Sequence, residues 1–283
     1  MKKIKVPATS ANIGPGFDCL GIAWDIYNTF TINMSDKDIL HGTDPRFNNS
    51  DNLFLKAFHK TCDILKCDMH IEATFQCDIP VSRGLGSSAA LLVGGSVSAF
   101  LLSDLSINKD IVFAVAEEME GHPDNAAPAV YGGLCASMEN TSVQLPLSDK
   151  FHYTVYIPGF EVSTEEARKI LPESYPRSIA TKNSAHAILL VHALAKGDID
   201  LLKKAGTDYF HEPYRKTLIA GFDTIKTLVT NDASGIFLIS GSGSTCLSIT
   251  EQPISSKTEE TISQMGWKVQ QVMPSDGIIE VNE

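Results

Sequence analysis

Residues 81–90, with the sequence VSRGLGSSAA, place two glycines and two adjacent serines directly before a long apolar run. That run, from Ala89 to Leu102, is apolar almost all round and lacks proline, which predicts a buried helix of about four turns. At the start of such a helix, unpaired backbone N–H groups point into the loop together with the positive end of the helix dipole. The stretch therefore predicts an anion-binding loop, with a capped buried helix that binds nothing as the alternative.

Two common nucleotide-binding motifs share glycines with this loop. A Walker loop requires GxxxxGK[ST], and no lysine stands in residues 81–90, so that motif is excluded. Gly84 to Ala89 match the GxGxxA pattern of a dinucleotide-binding fold, and Asp104 lies about twenty residues further on. In a dinucleotide-binding fold this acidic residue ends a second strand, whereas Asp104 directly follows the predicted helix. A dinucleotide-dependent oxidoreductase therefore stays an alternative, but the sequence lacks the second strand that it requires.

The charge balance limits the classes of partner. The chain has 23 Lys and Arg against 34 Asp and Glu, a net charge of −11, and no basic cluster offsets it locally. Such a surface repels a phosphate backbone or an anionic bilayer, so neither nucleic acid nor a membrane is an expected partner. Six scattered cysteines without a CxxC pair, and an N-terminus without the apolar core of a signal peptide, are typical of a cytoplasmic protein.

Hydrophobic periodicity predicts an α+β protein. Residues 70–80, HIEATFQCDIP, alternate apolar and polar side chains as a half-buried strand does, and strand signals dominate the first part of the chain. Later, Ser163 and Glu166 fit the capping box of a helix, and two β-prone runs in residues 235–250 predict a hairpin. The change from strand to helix signals predicts two domains, residues 1–150 and 151–283.

Four stretches, taken in chain order, resemble the GHMP small-molecule kinases. They are VPATSANIGPGFDCLGIA at 6–23, GLGSSAA at 84–90, EGHPDNAAPAVYGG at 120–133 and SGSGSTCLSI at 240–249. Two more, VSTEEARKILP at 162–172 and HEPYRKTLIAGF at 211–222, resemble the branch of that family that phosphorylates L-homoserine. The resemblance implies a two-domain α+β fold, with a ribosomal-S5-like N-terminal domain that binds ATP and a ferredoxin-like C-terminal domain.

The resemblance also implies an activity. ATP and L-homoserine would be the substrates, Mg²⁺ would be required, and the product O-phospho-L-homoserine would serve threonine biosynthesis. A homodimer is a further expectation. Two alternatives stay open, namely a GHMP kinase that acts on another small alcohol such as mevalonate, and a catalytically silent relative that binds a nucleotide or an amino acid.

The same resemblance assigns residues to the nucleotide and the metal. The ATP phosphates fall on the glycine loop, which comprises Arg83, Gly84, Leu85, Gly86, Ser87 and Ser88. Ser88 matches the family's metal-site serine and, with Glu120, would hold Mg²⁺, a hard cation that prefers oxygen ligands. Glu117 and Glu118 compete with Glu120 for this role, because the segment before His122 is shorter than in some relatives.

A pocket for homoserine needs an anion for the ammonium group, cations for the carboxylate and a polar group near the hydroxyl. The residues that resemble this set in the family are Asn12, Asp18, His122, Asn125, Thr164, Arg168 and Arg215. Arg168 and Arg215 would bind the carboxylate through their guanidinium forks, and Asp18 would bind the ammonium group. Without the resemblance, each arginine is more typical of a solvated helix position, and Asp18 is typical of a turn.

The predicted catalytic set is Ser88, Glu120 and Asn125, with Asn125 near the attacking hydroxyl. Asp124 acts as a base in some GHMP kinases, but in the branch that this chain resembles it is not expected to do so. Phosphoryl transfer makes little demand on a base, since it depends on charge neutralisation and on an aligned hydroxyl. Asp124 is therefore expected to shape its loop.

Three other positions give negative or altered expectations. The last glycine loop usually reads SGSGPT in the family, whereas Ser244 stands here in place of the proline. A fixed φ is lost, which predicts a more mobile loop. His59 and His70 show no metal-ligand spacing with acids or thiols in the sequence, so we expect packing or surface roles for both.

Overall fold

The computed structural model describes residues 1–281 and contains two β-sheets with helices packed on them. The strands are β1 (Lys2–Ala11), β2 (Leu20–Ser35), β3 (Ile39–His41), β4 (His70–Cys77), β5 (Leu134–Met138), β6 (Thr141–Leu145), β7 (His152–Pro158), β8 (Gly235–Ile239), β9 (Cys246–Thr250), β10 (Trp267–Val272) and β11 (Ile279–Glu280). The helices are α1 (Leu53–Leu65), α2 (Ser87–Leu102), α3 (Lys109–Glu120), α4 (Pro123–Tyr131), α5 (Thr164–Lys169), α6 (Arg177–Lys196), α7 (Ile199–Ala205), α8 (Glu212–Arg215), α9 (Phe222–Asp232) and α10 (Ser256–Gln264). Within residues 1–281, no helix is both long and apolar enough to cross a bilayer.

The first sheet has seven strands, built around the long pair β1 and β2. The strands β11, β1, β2, β4 and β3 lie side by side in that order, while β5 pairs with both β2 and β6. The pairs are antiparallel apart from β3 and β4, which run parallel. Residues 12–19 connect β1 to β2 and reach the wall of the main cavity.

Helix α2 occupies the core beside this sheet, as the apolar run in the sequence predicts. All its residues from Leu92 to Leu101 are buried. Helix α1 packs closely across it, and the contact depends on Gly95, where an added Cβ would lie 2.0 Å from the carbonyl oxygen of Phe54. A side chain at this position would force the two helices apart, because the atom it meets is backbone and cannot rotate away.

The second sheet has four antiparallel strands in the order β10, β7, β9, β8. Taken with the helices between β7 and β8 and with α10 between β9 and β10, this is the βαββαβ arrangement of a ferredoxin-like domain. The predicted hairpin is present as β8 and β9, with Ile239 opposite Cys246. The predicted α+β class, with two separate sheets and helices packed on them, is confirmed.

The chain passes from the first sheet to the second between Leu145 and His152. The predicted division after residue 150 falls in this connection. The short strand β11 nevertheless returns to the first sheet and pairs with β1, where Ile4 faces Glu280. The end of the described chain thus contributes a strand to the first sheet. The division into residues 1–150 and 151–283 stays a prediction.

Gly95→Ala should destabilise the protein although alanine favours a helix by about 1 kcal/mol over glycine. The new methyl group would meet the Phe54 carbonyl oxygen, and overpacking of this kind costs more than the propensity gains, so we expect a net loss of roughly 2 kcal/mol. Urea unfolding measures the difference. Gly159→Ala is the control, because a Cβ there meets no atom within 4 Å. Equal stability of both variants would contradict the close α1–α2 contact.

Candidate active site

A cavity of about 510 Å³ lies where the glycine loop, the start of α4 and the loop between β8 and β9 meet. We call that last loop, residues 240–245, the serine loop. Thirteen of the fourteen positions predicted from the sequence line the cavity: Asn12, Asp18, Arg83, Gly84, Gly86, Ser87, Ser88, Glu120, His122, Asn125, Thr164, Arg168 and Arg215. The fold thus brings together residues that are as far apart in the chain as Asn12 and Arg215.

The glycine loop leads into α2 through Gly86, which has the left-handed conformation, with φ of 67°. An added Cβ there would lie 1.9 Å from Thr9 Oγ1, so only glycine allows this approach to β1. Thr9 also donates its backbone N–H to the Leu85 carbonyl oxygen at 3.1 Å. Within residues 1–281, no side chain caps the start of α2, which leaves its first N–H groups available to an anion in the cavity.

Two residues of the predicted phosphate loop are placed differently from the rest. Leu85 is buried in the core and does not line the cavity. The Arg83 guanidinium donates to the carbonyl oxygens of Pro158 and Gly159 at 3.2 Å, and its Nη1 lies 3.2 Å from a carboxylate oxygen of Glu161. The Arg83 side chain therefore ties the glycine loop to the end of β7.

Ser88 and Glu120 meet at the base of the cavity. The Ser88 hydroxyl donates to Glu120 Oε1 at 2.5 Å, while the buried Oε2 atom has no hydrogen-bond partner among the described residues. Burial raises the pKa of Glu120, with the nearby charge of Asp124 acting in the same direction, and this outweighs the opposing hydrogen bond from Ser88. A hydroxyl beside a desolvated carboxylate with one unpaired oxygen is a donor set that suits a hard divalent cation such as Mg²⁺.

The two competing glutamates are engaged elsewhere. Glu117 accepts a hydrogen bond from the backbone N–H of Asn140 at 2.9 Å. Glu118 is paired with Lys60 at 2.5 Å on the exposed side of α3. Of the three candidate carboxylates, Glu120 is the one that lines the cavity.

His122 and Asp124 form a pair at the start of α4. His122 Nδ1 lies 2.7 Å from Asp124 Oδ1, and Asp124 is only 1% exposed. Burial lowers the pKa of His122, but the hydrogen bond and the negative charge of Asp124 outweigh it and raise that pKa above its usual value. Next to them, Asn125 Oδ1 accepts from the Thr9 hydroxyl at 2.8 Å, which fixes the amide in the cavity wall.

Asp18 and Arg168 form a bidentate ion pair in the cavity wall. Arg168 Nη2 lies 3.0 Å from Asp18 Oδ1 and Nη1 lies 3.3 Å from Oδ2. Asp18 also donates its backbone N–H to Asn12 Oδ1 at 3.0 Å, which holds the connection between β1 and β2 in place. Both charged side chains are partly exposed, so a ligand can reach them. Beside them, the Thr164 hydroxyl lies 3.3 Å from that of Ser242.

Arg215 is buried in the same wall, with only 2% of its surface exposed. Its Nε donates to the Ala167 carbonyl oxygen at 3.0 Å and its Nη1 to that of Gly241 at 3.2 Å, and the guanidinium lies 5.2 Å from the centre of the Phe17 ring. Within residues 1–281, no carboxylate lies within 4.0 Å of this cation. Burial and the neighbouring charge of Arg168 lower the pKa of Arg215, as expected for a cation that lacks a close counterion.

The residues that position Arg215 were not predicted from the sequence. Asp208 accepts the backbone N–H groups of Phe210, His211 and Glu212 and so fixes the start of α8. The fully buried His211 contacts the Gly14 carbonyl oxygen at 3.0 Å and stacks on Phe17. The quoted HEPYR stretch contains His211, but no local pattern predicts its contact with the N-terminal connection.

The structure also corrects the expectation of a loosened serine loop. Ser244 is completely buried, and its hydroxyl donates to the Phe160 carbonyl oxygen at 2.6 Å. Thr245 donates its backbone N–H to the Arg83 carbonyl oxygen at 3.0 Å. The serine thus replaces the fixed φ of proline by a hydrogen bond that proline cannot make.

Comparisons with known proteins agree with this geometry. Residues 52–133 match the family described as GHMP kinases N terminal domain. The homoserine kinase of Clostridium botulinum (strain Okra / Type B1) is 42% identical over 254 residues, covering 87% of this chain and 85% of that protein. The homoserine kinase of a Picosynechococcus species is 35% identical over 295 residues, covering 99% and 96%.

Solved structures extend the similarity to the whole fold. The crystal structure of homoserine kinase from Cytophaga hutchinsonii superimposes with a TM-score of 0.87 at 28% identity, covering 99% of this chain and 97% of that one. A mevalonate kinase superimposes with a TM-score of 0.72 at 15% identity, covering 96% and 98%. The second likeness shows a common fold.

Asp124→Asn should lower the pKa of His122, because the carboxylate charge that outweighs burial is removed. Proton NMR of the His122 ring across pH measures this, and Asp78→Asn, at an exposed carboxylate, is the control. Since the pair raises the folded-state pKa, its stabilisation is complete below the unfolded value of about 6.5 and is lost as pH rises through the raised pKa. The stability difference between the native protein and Asp124→Asn should shrink accordingly. An unchanged His122 titration would contradict the coupling.

Proposed function

The chain belongs to the homoserine kinases of the GHMP kinase family, and we propose that it transfers the γ-phosphoryl group of ATP to the side-chain hydroxyl of L-homoserine. The product would be O-phospho-L-homoserine, an intermediate of threonine biosynthesis. One observation carries the proposal beyond the family likeness. The Asp18–Arg168 pair and the buried Arg215 line the same cavity as the uncapped start of α2. One cavity therefore offers charges for an amino acid beside an anion site for a triphosphate.

The glycine loop and the start of α2 are proposed to bind the phosphates of ATP. The free N–H groups of the first turn and the dipole of α2, a helix of 16 residues, both favour a negative charge there. The hydroxyl of Ser87 adds a side-chain donor to the same wall. Arg83 is proposed to stabilise the loop itself, since its guanidinium binds the end of β7.

Ser88 and Glu120 are proposed to hold Mg²⁺ through their oxygen atoms. The unpaired Glu120 Oε2 and the 2.5 Å contact between the two side chains support this assignment. The cation supplies charge neutralisation on the triphosphate and on the group being transferred. Ser88 and Glu120 fix where that charge is placed, because each side chain comes from the end of a helix packed in the core.

The substrate's ammonium and carboxylate groups are proposed to bind to Asp18 and to the two arginines. In an α-amino acid these groups of opposite charge are attached to one carbon atom, and the cavity presents opposite charges 3.0 Å apart. An incoming zwitterion can match both partners at once, with its carboxylate between Arg168 and Arg215. The buried Arg215 gains the counterion that it lacks among the described residues.

Asn125 and His122 are proposed to orient the hydroxyl for in-line attack. Asn125 is held by Thr9, and His122 is held by Asp124, so both present fixed polar atoms to the cavity. Asp124 is proposed to position His122 and not to act as a base. Its burial and its contact with His122 at 2.7 Å support this role, and a loose transition state needs little help from a base.

The alternatives differ in the chemistry of the acceptor. Mevalonate has a carboxylate and hydroxyls but no ammonium group, so a mevalonate pocket has no use for Asp18. A catalytically silent relative would not need both Ser88 and Glu120 in contact. A coupled assay of ADP release with homoserine, mevalonate, galactose and shikimate separates these functions. Turnover with homoserine supports the proposal, and turnover with another of the four alcohols instead, or with none, contradicts it.

Glu120→Gln and Ser88→Ala should each lower kcat by roughly 100-fold or more while changing the KM for homoserine little, because both act where charge develops on the transferred group. Steady-state kinetics at varied Mg²⁺ measure the effect. Glu117→Gln is the matched control, since Glu117 lies on the same helix but binds the Asn140 backbone. Normal turnover of Glu120→Gln together with a loss in Glu117→Gln would show that the metal residue is wrongly assigned.

Arg168→Ala and Arg215→Ala should each raise the KM for homoserine at least about thirtyfold, since breaking a desolvated charge pair costs roughly 2 to 5 kcal/mol. The KM for ATP should barely change. Arg177→Ala is the control, because Arg177 is exposed and does not line the cavity that residues 1–281 form.

Asp18→Asn tests the opposite charge in the same experiment. It should weaken homoserine binding more than binding of 4-hydroxybutyrate, which has no ammonium group. An unchanged KM in both arginine variants, or equal effects of Asp18→Asn on the two substrates, would contradict the proposed orientation of the substrate.

A further inference from the structure

Asp38, His59 and His70 form a cluster at the edge of the first sheet. Asp38 directly precedes β3, His59 lies on α1, and His70 begins β4. His59 Nε2 lies 2.7 Å from Asp38 Oδ2, and His70 Nδ1 lies 3.2 Å from Asp38 Oδ1. The three side chains come from separate elements and are 11 to 32 residues apart in the chain. None of them belongs to the cavity wall that the described residues form.

The atoms of this cluster have the spacing of a metal site. One ligand atom from each side chain lies within 4.8 Å of the other two. Tetrahedral coordination with bonds of about 2.0 to 2.2 Å puts neighbouring ligand atoms roughly 3.3 to 3.6 Å apart. The two histidine nitrogens lie 2.7 and 3.2 Å from different oxygens of Asp38, so the carboxylate has to rotate, and the nitrogens have to move outward by a few tenths of an ångström, for one oxygen and both nitrogens to surround an ion. The cluster therefore needs little rearrangement to surround an ion.

The donor set indicates which ions fit. Two imidazole nitrogens and one carboxylate oxygen suit Zn²⁺ and its first-row neighbours, whereas Mg²⁺ and Ca²⁺ prefer oxygen ligands. The side chains of His59 and His70 are 42% and 48% exposed, which leaves room for water as a fourth ligand. The cluster thus has the composition of a three-residue site with one open position.

The surroundings orient the carboxylate. The backbone N–H of Ile71 donates to Asp38 Oδ1 at 3.1 Å, the kind of outer contact that fixes a ligand's direction. Burial raises the pKa of Asp38, but the hydrogen bonds from Ile71, His59 and His70 outweigh it and hold the pKa below its usual value.

We propose that Asp38, His59 and His70 bind one divalent transition-metal ion of the Zn²⁺ class, with solvent as the fourth ligand. The ion would join the residue before β3 to α1 and thus enclose residues 39–58. That segment contains Arg46, Asn49 and Asn52, which line the main cavity. The site would act as a clamp at the base of a cavity-lining loop, and it does not rest on the proposed kinase activity.

Co²⁺ spectroscopy and Zn²⁺ calorimetry on the full chain test the site, with excess Mg²⁺ present to compete at Ser88 and Glu120. The native protein should bind one equivalent of Zn²⁺ and give the intense visible bands of four-coordinate Co²⁺ without a thiolate charge-transfer band. His59→Ala and His70→Ala should weaken Zn²⁺ binding at least tenfold, since even outer-shell changes cost that much. His192→Ala, at an exposed histidine on α6, should bind as the native protein does.

A second variant keeps the test valid if an alanine disturbs folding. Asp38→Asn retains an oxygen that can accept from the Ile71 N–H but removes the charge, so it should fold normally and bind Zn²⁺ at least tenfold more weakly. Failure of the native protein to bind Zn²⁺ would overturn the proposal. The cluster would then consist only of the hydrogen bonds that join His59 and His70 to Asp38. Equal binding by the native protein and the His59, His70 and Asp38 variants would overturn it as well.

Limited trypsin digestion tests the clamp. Arg46 is exposed and lies in the enclosed segment, so Zn²⁺ should slow cleavage after this residue in the native protein and in His192→Ala. The same ion should have no effect in His59→Ala. Equal cleavage rates with and without bound Zn²⁺ in the native protein would overturn the clamp.

Discussion

The cavity depends on the hydrogen bonds of the serine loop, because they join the part of the chain that forms the second sheet to the part that forms the first. The Ser240 hydroxyl donates to the Gly84 carbonyl oxygen at 2.6 Å and lies 2.6 Å from Ser10 Oγ. Thr245 donates its backbone N–H to the Arg83 carbonyl oxygen. The glycine loop belongs to the part of the chain that forms the first sheet, whereas Arg168 and Arg215 belong to the part that forms the second, so a shift between the two parts would separate the two ends of the site.

This constraint explains why charges can be kept poorly solvated in the cavity wall. Burial raises the pKa of Glu120 and lowers that of Arg215, which means that each charged form is disfavoured by its surroundings. Such charges cost free energy until a group of opposite sign approaches, and a rigid scaffold prevents them from turning to water. A ligand that brings a cation to Glu120 and an anion to Arg215 offsets both costs together.

Much of the site could be predicted because its residues lie in compact local motifs. The glycine loop, the start of α4 with His122 and Asp124, and the serine loop are each only a few residues long. Their function can therefore depend on local φ angles and on uncapped N–H groups. Arg83 shows the limit of this reasoning. Its place in the glycine loop predicts a phosphate contact, yet its guanidinium binds Pro158 and Gly159, more than seventy residues away. The contact between Thr9 and Asn125 was not predicted either, because it also joins residues that are far apart in the chain.

The sequence by itself determined the α+β class, the buried helix α2 and the β8–β9 hairpin, since periodicity, apolar runs and glycine positions act over a few residues. The charges that meet in the cavity were predicted only through the resemblance of their motifs to a known family. Only the tertiary structure decided that Glu120 and not Glu117 contacts Ser88, and that Asp38, His59 and His70 meet. Those distances depend on how separate helices and strands pack. Packing is set by the shape of the whole core, and no spacing along the chain records it.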